Sequence, residues 1–256
     1  MTDRSSAPEW LANKGGLEDE DFTEPVATND TVEDAPIRSM SFETRIDRDE
    51  KVRQAVKQLR MTVPQILEFS QCWEHPFYDE KSVWRRITAL NLKRRVKRVA
   101  EQSLHDFFSI KIGLKIWKDA HRNGVPVTNI EKESSIPDAR IRADFRYNLG
   151  HRLFFHENQR SALTYMGWKQ KLTKYVKYRR TPGTKPFRVL ITMDDERSLN
   201  TVYGYAKDVT EDFPELCIFL LAWQPDFLGQ YDTTTEPIWV TNRIVAGKHE
   251  TVSLMG

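Results

Sequence analysis

Only two cysteines occur in this 256-residue chain, and it has neither an apolar run of membrane-spanning length nor an internal repeat. Cys72 and Cys217 stand far apart, with no second cysteine and no spaced histidine pair beside them. Neither a disulfide framework nor a zinc site is therefore expected, and both read as small buried hydrophobes in a reducing cytoplasm. No stretch approaches the roughly 20 apolar residues of a membrane span, and the N-terminus is acidic rather than a basic region followed by an apolar one. A soluble, cytoplasmic protein with no membrane partner is the expectation. The 39% hydrophobic content, with thirteen Phe, eight Tyr and seven Trp, is enough for a folded core.

Charge is nearly balanced, at a formal +2, but unevenly placed. Residues 1–36 hold ten acids against two bases, a net of −8, which leaves +10 on the remainder. Segment 1–40 also contains Pro8, Pro25, Pro36, Gly15 and Gly16 without a sustained apolar period. It reads as an acidic disordered tail, within which Trp10-Leu11 and Phe22 are candidate contact motifs. The basic body makes phosphate-rich partners plausible.

From Asp47 the apolar period is helical, through Val52, Ala55, Val56 and Leu59. Thr62 and Pro64 signal the start of a second helix. Asp79 is the N-cap candidate of a third, over 79–91, with Val83, Ile87 and Leu90 as its buried stripe. Leu92-Lys-Arg-Arg-Val-Lys-Arg-Val99 then alternates bases with apolar residues as a short strand or wing would. Three short helices and a basic wing predict a winged helix-turn-helix over 45–100. Lys81, Ser82, Arg85, Arg86, Thr88, Lys93, Arg94, Arg95, Lys97 and Arg98 are placed to meet double-stranded DNA, at base edges and flanking phosphates.

A longer helix is expected over Leu104–Arg122, stopped by Asn123-Gly124. Strands follow at 125–130 and 138–147, then a turn at Asn148-Leu149-Gly150 and a strand at 152–158. A helix at 161–179, a strand at 187–193, a helix at 196–208 and a strand at 216–223 complete an α-β-β-β-α-β-α-β order. That order predicts an α/β domain with one mixed sheet, in a chain that is α+β overall.

Asp138 opens one strand of the predicted hairpin, and Glu157 and Gln159 share one face of its partner. An Asp and a Glu that converge supply hard oxygen ligands for Mg2+, which would polarise a scissile phosphate, while a nearby lysine stabilises developing charge. Glu131 is a weaker additional ligand candidate.

Pro137-Asp138 followed by Glu157-x-Gln159 resembles the PD-(D/E)xK nuclease signature, with glutamine where that family usually has lysine. The larger pattern is similar to the replication-relaxation family of plasmids and mobile elements. The residues that carry it are Leu104-His105, Ile136-Pro-Asp-Ala139, Phe154-Phe-His-Glu-Asn-Gln-Arg-Ser161, Lys171-Leu-x-x-Tyr175-x-x-Tyr178, Arg188-Val-Leu-Ile-Thr192 with Arg197, and Phe219-Leu-Leu-Ala-Trp223. The resemblance covers roughly residues 50 to 240. It implies a DNA-binding winged helix fused to a PD-(D/E)xK-like mixed β-sheet domain flanked by helices, over 104–245, acting in plasmid or mobile-element replication, relaxation or transfer.

Under the resemblance Asp138 and Glu157 are the metal ligands, and Lys171, with Lys169 second, is the candidate for a lysine that has migrated from the Gln159 position. The leading expectation is a DNA-binding protein whose nuclease-like domain is degenerate. The alternatives are an active Mg2+-dependent endonuclease or nickase using Asp138, Glu157, Gln159 and Lys171, and an adaptor for replication or transfer proteins. A homodimer reading two half-sites is compatible with a helix-turn-helix, although no heptad marks an interface.

Overall fold

The first described helix, α1, spans Phe42–Lys57 and buries Val52, Ala55 and Val56. Its start precedes Asp47, because polar turns can extend a helix beyond the stripe that packs. The computed structural model describes residues 42–159, 165–213, 216, 218–224, 228–245 and 248–255. The acidic segment 1–40 with Trp10-Leu11 and Phe22, the Arg160-Ser161 step and Cys217 lie outside them.

Helix α2, Val63–Ser70, begins at Thr62, whose backbone N–H donates to Gln65 Oε1 at 3.0 Å, with Pro64 in the first turn. Helix α3, Glu80–Ala89, is capped by Asp79, whose Oδ1 accepts the Ser82 N–H at 2.7 Å. Val83 and Ile87 are its fully buried pair.

After α3 the structure departs from the expected wing. Asn91 takes a left-handed φ of 55° and ends the helix, and residues 92–98 form turns with no strand among them. Leu92 and Val96 are the apolar anchors, and Leu92 O accepts the N–H groups of Arg95 and Val96 at 2.8 and 3.3 Å. A four-residue spacing closed by those bonds is a turn, whereas a strand would need period two.

Helix α4, Leu104–Arg122, is capped by Ser103, which accepts the Asp106 N–H at 3.0 Å, and it stops where Gly124 turns with φ 69°. Seven strands follow in sequential order: β1 Val127–Ile136, β2 Ile141–Leu149, β3 Arg152–Gln159, β4 Phe187–Met193, β5 Phe219–Trp223, β6 Trp239–Val245 and β7 Lys248–Val252. β1-β2-β3 and β5-β6-β7 are antiparallel, while β3-β4-β5 run parallel through the crossover helices α5, Tyr165–Arg180, and α6, Glu196–Thr210. The protein is thus mixed α/β with one seven-stranded mixed sheet, and six α-helices lie among the described residues. None of those helices is long and apolar enough to cross a membrane.

Alternation along the parallel strands sorts the core into two layers. Leu190 and Leu220 face one way, with Phe145, Tyr147 and Phe154, onto α4 and the α1–α3 helices. Val189, Ile191 and Leu221 face the other way, onto Trp168, Leu172 and Tyr175 of α5 and Val202 and Ala206 of α6. Trp117 of α4 joins the first layer, with ring centroids 5.5 Å from Phe69, 5.6 Å from Phe145 and 5.9 Å from Tyr147. Gly113 leaves room beneath it, since a Cβ there would sit 3.1 Å from the indole and push it by a few tenths of an ångström. Residues 42–256 fall in one unit, so the three N-terminal helices share their core with the sheet. Cys72 packs against that core, where burial pushes its thiol up to about 12 and keeps it protonated.

Candidate functional site

The β2-β3 hairpin turns at Gly150, whose φ of 59° suits glycine, and pairs Leu149 with Arg152 through to Phe145 with His156. One step further the ladder ends. Beyond it the Asp144 carboxylate takes the place of a backbone acceptor, its Oδ2 accepting the Asn158 N–H at 2.7 Å. Its Oδ1 lies 3.1 Å from His105 Nε2, in the first turn of α4. Burial pulls the Asp144 carboxyl upward, but His105, the Asn158 N–H and Lys171 outweigh it and hold the group below the usual carboxylate range. The same bond raises His105 above its ordinary value.

Whereas Asp144 is bound from α4, Glu157 is bound from α5. Only 1% of it is exposed. Its Oε2 accepts from Lys171 Nζ at 2.6 Å and its Oε1 from the Tyr175 hydroxyl at 2.7 Å. Lys171 and Tyr175 are four residues apart and so lie on one stripe of the helix. Burial drives the Glu157 carboxyl up to about 7 despite the lysine, and the Asp144 charge adds to the rise.

A second buried network fastens the end of β3 from the α4 side. Asn158 Nδ2 donates to Ser109 Oγ at 3.0 Å, and its Oδ1 accepts from Thr192 Oγ1 at 3.2 Å and Gln224 Nε2 at 2.5 Å. His156 Nε2 lies 3.2 Å from Thr192 Oγ1, and burial lowers the imidazole to about 4, so it is neutral at pH 7. Thr192 and Gln224 stand at the C-terminal ends of β4 and β5, where open α/β sheets place their sites. A groove of about 570 Å³ between α1 and the start of β1, lined by Asp47, Trp73 and Trp117 among others, shares no residue with this centre.

Of the residues expected from sequence, Glu157 and Lys171 meet directly, and Gln159 ends β3 two positions beyond Glu157. Asp138 lies in a 3-10 turn, Pro137–Ala139, between β1 and β2 and is exposed. Lys169 is exposed on α5, and Glu131 is engaged with Ser134 at 2.8 Å and Arg146 at 3.3 Å. The carboxylate whose charge reaches Glu157 is Asp144, which sequence reasoning passed over, while His105 was noted only as part of the Leu104-His105 helix start. Part of the signal was available: each step back along β2 from the Gly150 turn is a step forward along β3, and the paired stretch ends at Phe145 and His156, immediately beside the two carboxylates.

Asp144 and Glu157 are the hard oxygen donors of the centre. Among the described residues no group of three or more His, Cys, Asp or Glu side chains is arranged to hold a metal ion. Mg2+ keeps several waters and needs as few as one or two protein carboxylates, which matches the oxygen chemistry of these donors, although Asp144 is bound from α4 and Glu157 from α5. Each of the four carboxylate oxygens already has a protein partner, and a cation taking Glu157 Oε2 would compete with Lys171.

The basic residues of α3 divide by their surroundings. Lys81, Arg85 and Thr88 are exposed at i, i+4 and i+7. Arg86 grips both oxygens of Asp49 on α1, and Ser82 is held in the cap with Asp79. Lys93, Arg94, Arg95, Lys97 and Arg98 are exposed on the following turns, Arg98 lying 3.8 Å from Glu101. Glu80 is the single acid between positions 80 and 98. No protein-family model, no curated protein and no solved structure matches this chain.

Proposed function

We propose that the chain binds double-stranded DNA of a plasmid or mobile element, in its replication, relaxation or transfer, with the α1–α3 helices as a helix-turn-helix reader and residues 92–98 as a basic arm in place of a β-wing. The observation that carries this is the exposure of Lys81, Arg85, Lys93, Arg94, Arg95 and Lys97 against two acids, Asp79 and Glu80, at the start of α3. Such a surface gains affinity by releasing counterions from the phosphates. The α/β layer serves as a platform, and the internal pairing of Glu157 with Lys171 and Tyr175 supports a non-catalytic role. Substituting Arg85→Ala together with Arg94→Ala is expected to weaken duplex binding by about tenfold at physiological salt. It should also flatten the slope of log K against log salt by about 1.8, since each phosphate contact contributes about 0.9. Fluorescence anisotropy over a salt series reads both, and an unchanged affinity would remove the reader from this surface.

A second reading, an endonuclease or nickase, is favoured by the approach of Lys171 to Glu157 in a centre that also holds Asp144. Asp144 and Glu157 would hold the Mg2+, which when bound supplies Lewis acidity and an activated water. Lys171 and Gln159 would orient the phosphate and the water. Supercoiled plasmid should then be nicked with Mg2+ or Mn2+, and nicking should vanish in Asp144→Ala and in Glu157→Ala but survive in Asp138→Ala. Intact plasmid with either metal contradicts the reading.

A further inference from the structure

Between Tyr165 and Met193 the chain carries eight bases and no acid. Helix α5 lays Trp168, Leu172, Tyr175 and Val176 on the sheet and commits Lys171 to Glu157. Lys174, Lys177 and Arg180, three residues apart, remain on its exposed side, and Lys185 follows in the exposed loop before β4. Among the described residues Lys174, Lys177 and Lys185 make no ion pair, and Arg180 stacks over the Phe213 ring at 3.7 Å. Surface helices ordinarily intersperse acids with bases, because like charges a turn apart repel. An acid-free row spaced by single helical turns suits a polyanion whose charges also run in a row.

The layering decides what that polyanion meets. Residues 81–97 belong to the layer on one face of the sheet, and α5 belongs to the other. A duplex lying on one surface is separated from the other by the sheet and its covering helices. We infer that α5 presents a second DNA-backbone surface, so that one chain holds two segments of double-stranded DNA on opposite faces of its sheet. The inference rests on the proposed DNA-binding reading and extends it from one duplex to two.

Duplex fits this helix better than the other polyanions. Single strands are held by stacking on exposed aromatic rings, whereas Trp168 and Tyr175 are buried here and Tyr178 is stacked on Phe187 at 5.5 Å. Membrane-surface helices bury an apolar face in lipid, and the apolar face of α5 is already spent on the sheet. Contact is therefore with phosphates alone and independent of base sequence.

The test immobilises one duplex on beads and measures capture of a second, fluorescent duplex by the full chain, with anisotropy on a single duplex in parallel. Lys174→Glu with Lys177→Glu is expected to reduce capture by about tenfold, through lost phosphate contacts, while single-duplex affinity stays at the wild-type value. Wild-type protein that captures no second duplex, or a variant that captures as well as wild type, overturns the inference. So does wild-type binding of phosphatidylserine vesicles, lost in the variant, with no DNA capture. Failure of the underlying reading is separately visible: single-duplex binding would then survive Arg85→Ala with Arg94→Ala and be lost in the α5 variant.

Discussion

Replacing Asp119 by alanine is expected to lower folding stability by about 2–4 kcal/mol, because buried hydrogen-bond donors left without an acceptor cost about 1–3 kcal/mol each while its cationic partners remain partly in water. Asp119 is fully buried near the end of α4. It accepts from Lys115 Nζ at 2.8 and 3.1 Å, from Arg122, and from the Thr233 N–H and hydroxyl at 2.9 and 2.8 Å. Around it Lys115 also reaches Tyr231 O, Asn123 bonds Asp232, and Trp239 Nε1 donates to Thr233 O. One carboxylate thus ties the 231–235 loop, and through Trp239 the start of β6, to α4. Without it the buried Thr233 N–H and hydroxyl lose their acceptor, whereas Lys115 keeps Tyr231 O and its contact with solvent. Urea unfolding at neutral pH should show a lower midpoint at an unchanged slope, and Asp119→Asn, which keeps one acceptor oxygen, should cost less. A midpoint equal to wild type would mean the loop is held by other contacts.

The neighbouring pair His156 and Glu157 is expected to give opposed pH dependences that only substitution separates. Glu157 titrates near 7 in the fold against an ordinary 4.5, so between those values the folded state holds a proton that the unfolded state has lost. Stability from this group therefore falls as pH rises from 4.5 to 7. His156 titrates at about 4 against 6.5, so the unfolded state holds the extra proton and stability rises as pH climbs from 4 to 6.5. The groups around them are Asp144 for both, Lys171 and Tyr175 for Glu157, and Thr192 for His156. In wild type the two slopes largely offset. His156→Gln should expose the decline with pH and Glu157→Gln the rise, in urea titrations at successive pH values. Parallel profiles in the two variants would show that neither group titrates as its surroundings dictate.

The elements that sequence disclosed were those whose signals are local. Helix α4 ends where Asn123-Gly124 stops it, β4 coincides with its apolar run, and the helix starts at Thr62 and Asp79 sit where the Gln65 and Asp79 side chains close the first turn. Strands β6 and β7 were not foreseen, because Trp239–Val245 and Lys248–Val252 gain strand character only by pairing with β5 and each other. The wing failed at Leu92 and Val96, whose spacing belongs to a turn. In the candidate site, Glu157 and Lys171 were legible from the order of strand and helix. Asp138 drew attention through the dipeptide Pro137-Asp138, yet the carboxylate brought near Glu157, Asp144, is set by how the hairpin pairs, a long-range property.

Duplex DNA lying across the surface of residues 81–97 would shield the lysines there from solvent. Covalent labelling of lysine amines on the full chain with and without a saturating duplex, read by mass spectrometry, reports that shielding. Lys81, Lys93 and Lys97 should be protected, while exposed Lys111 on α4 should label equally in both samples. Equal labelling of Lys81, Lys93 and Lys97 with and without DNA would contradict the account.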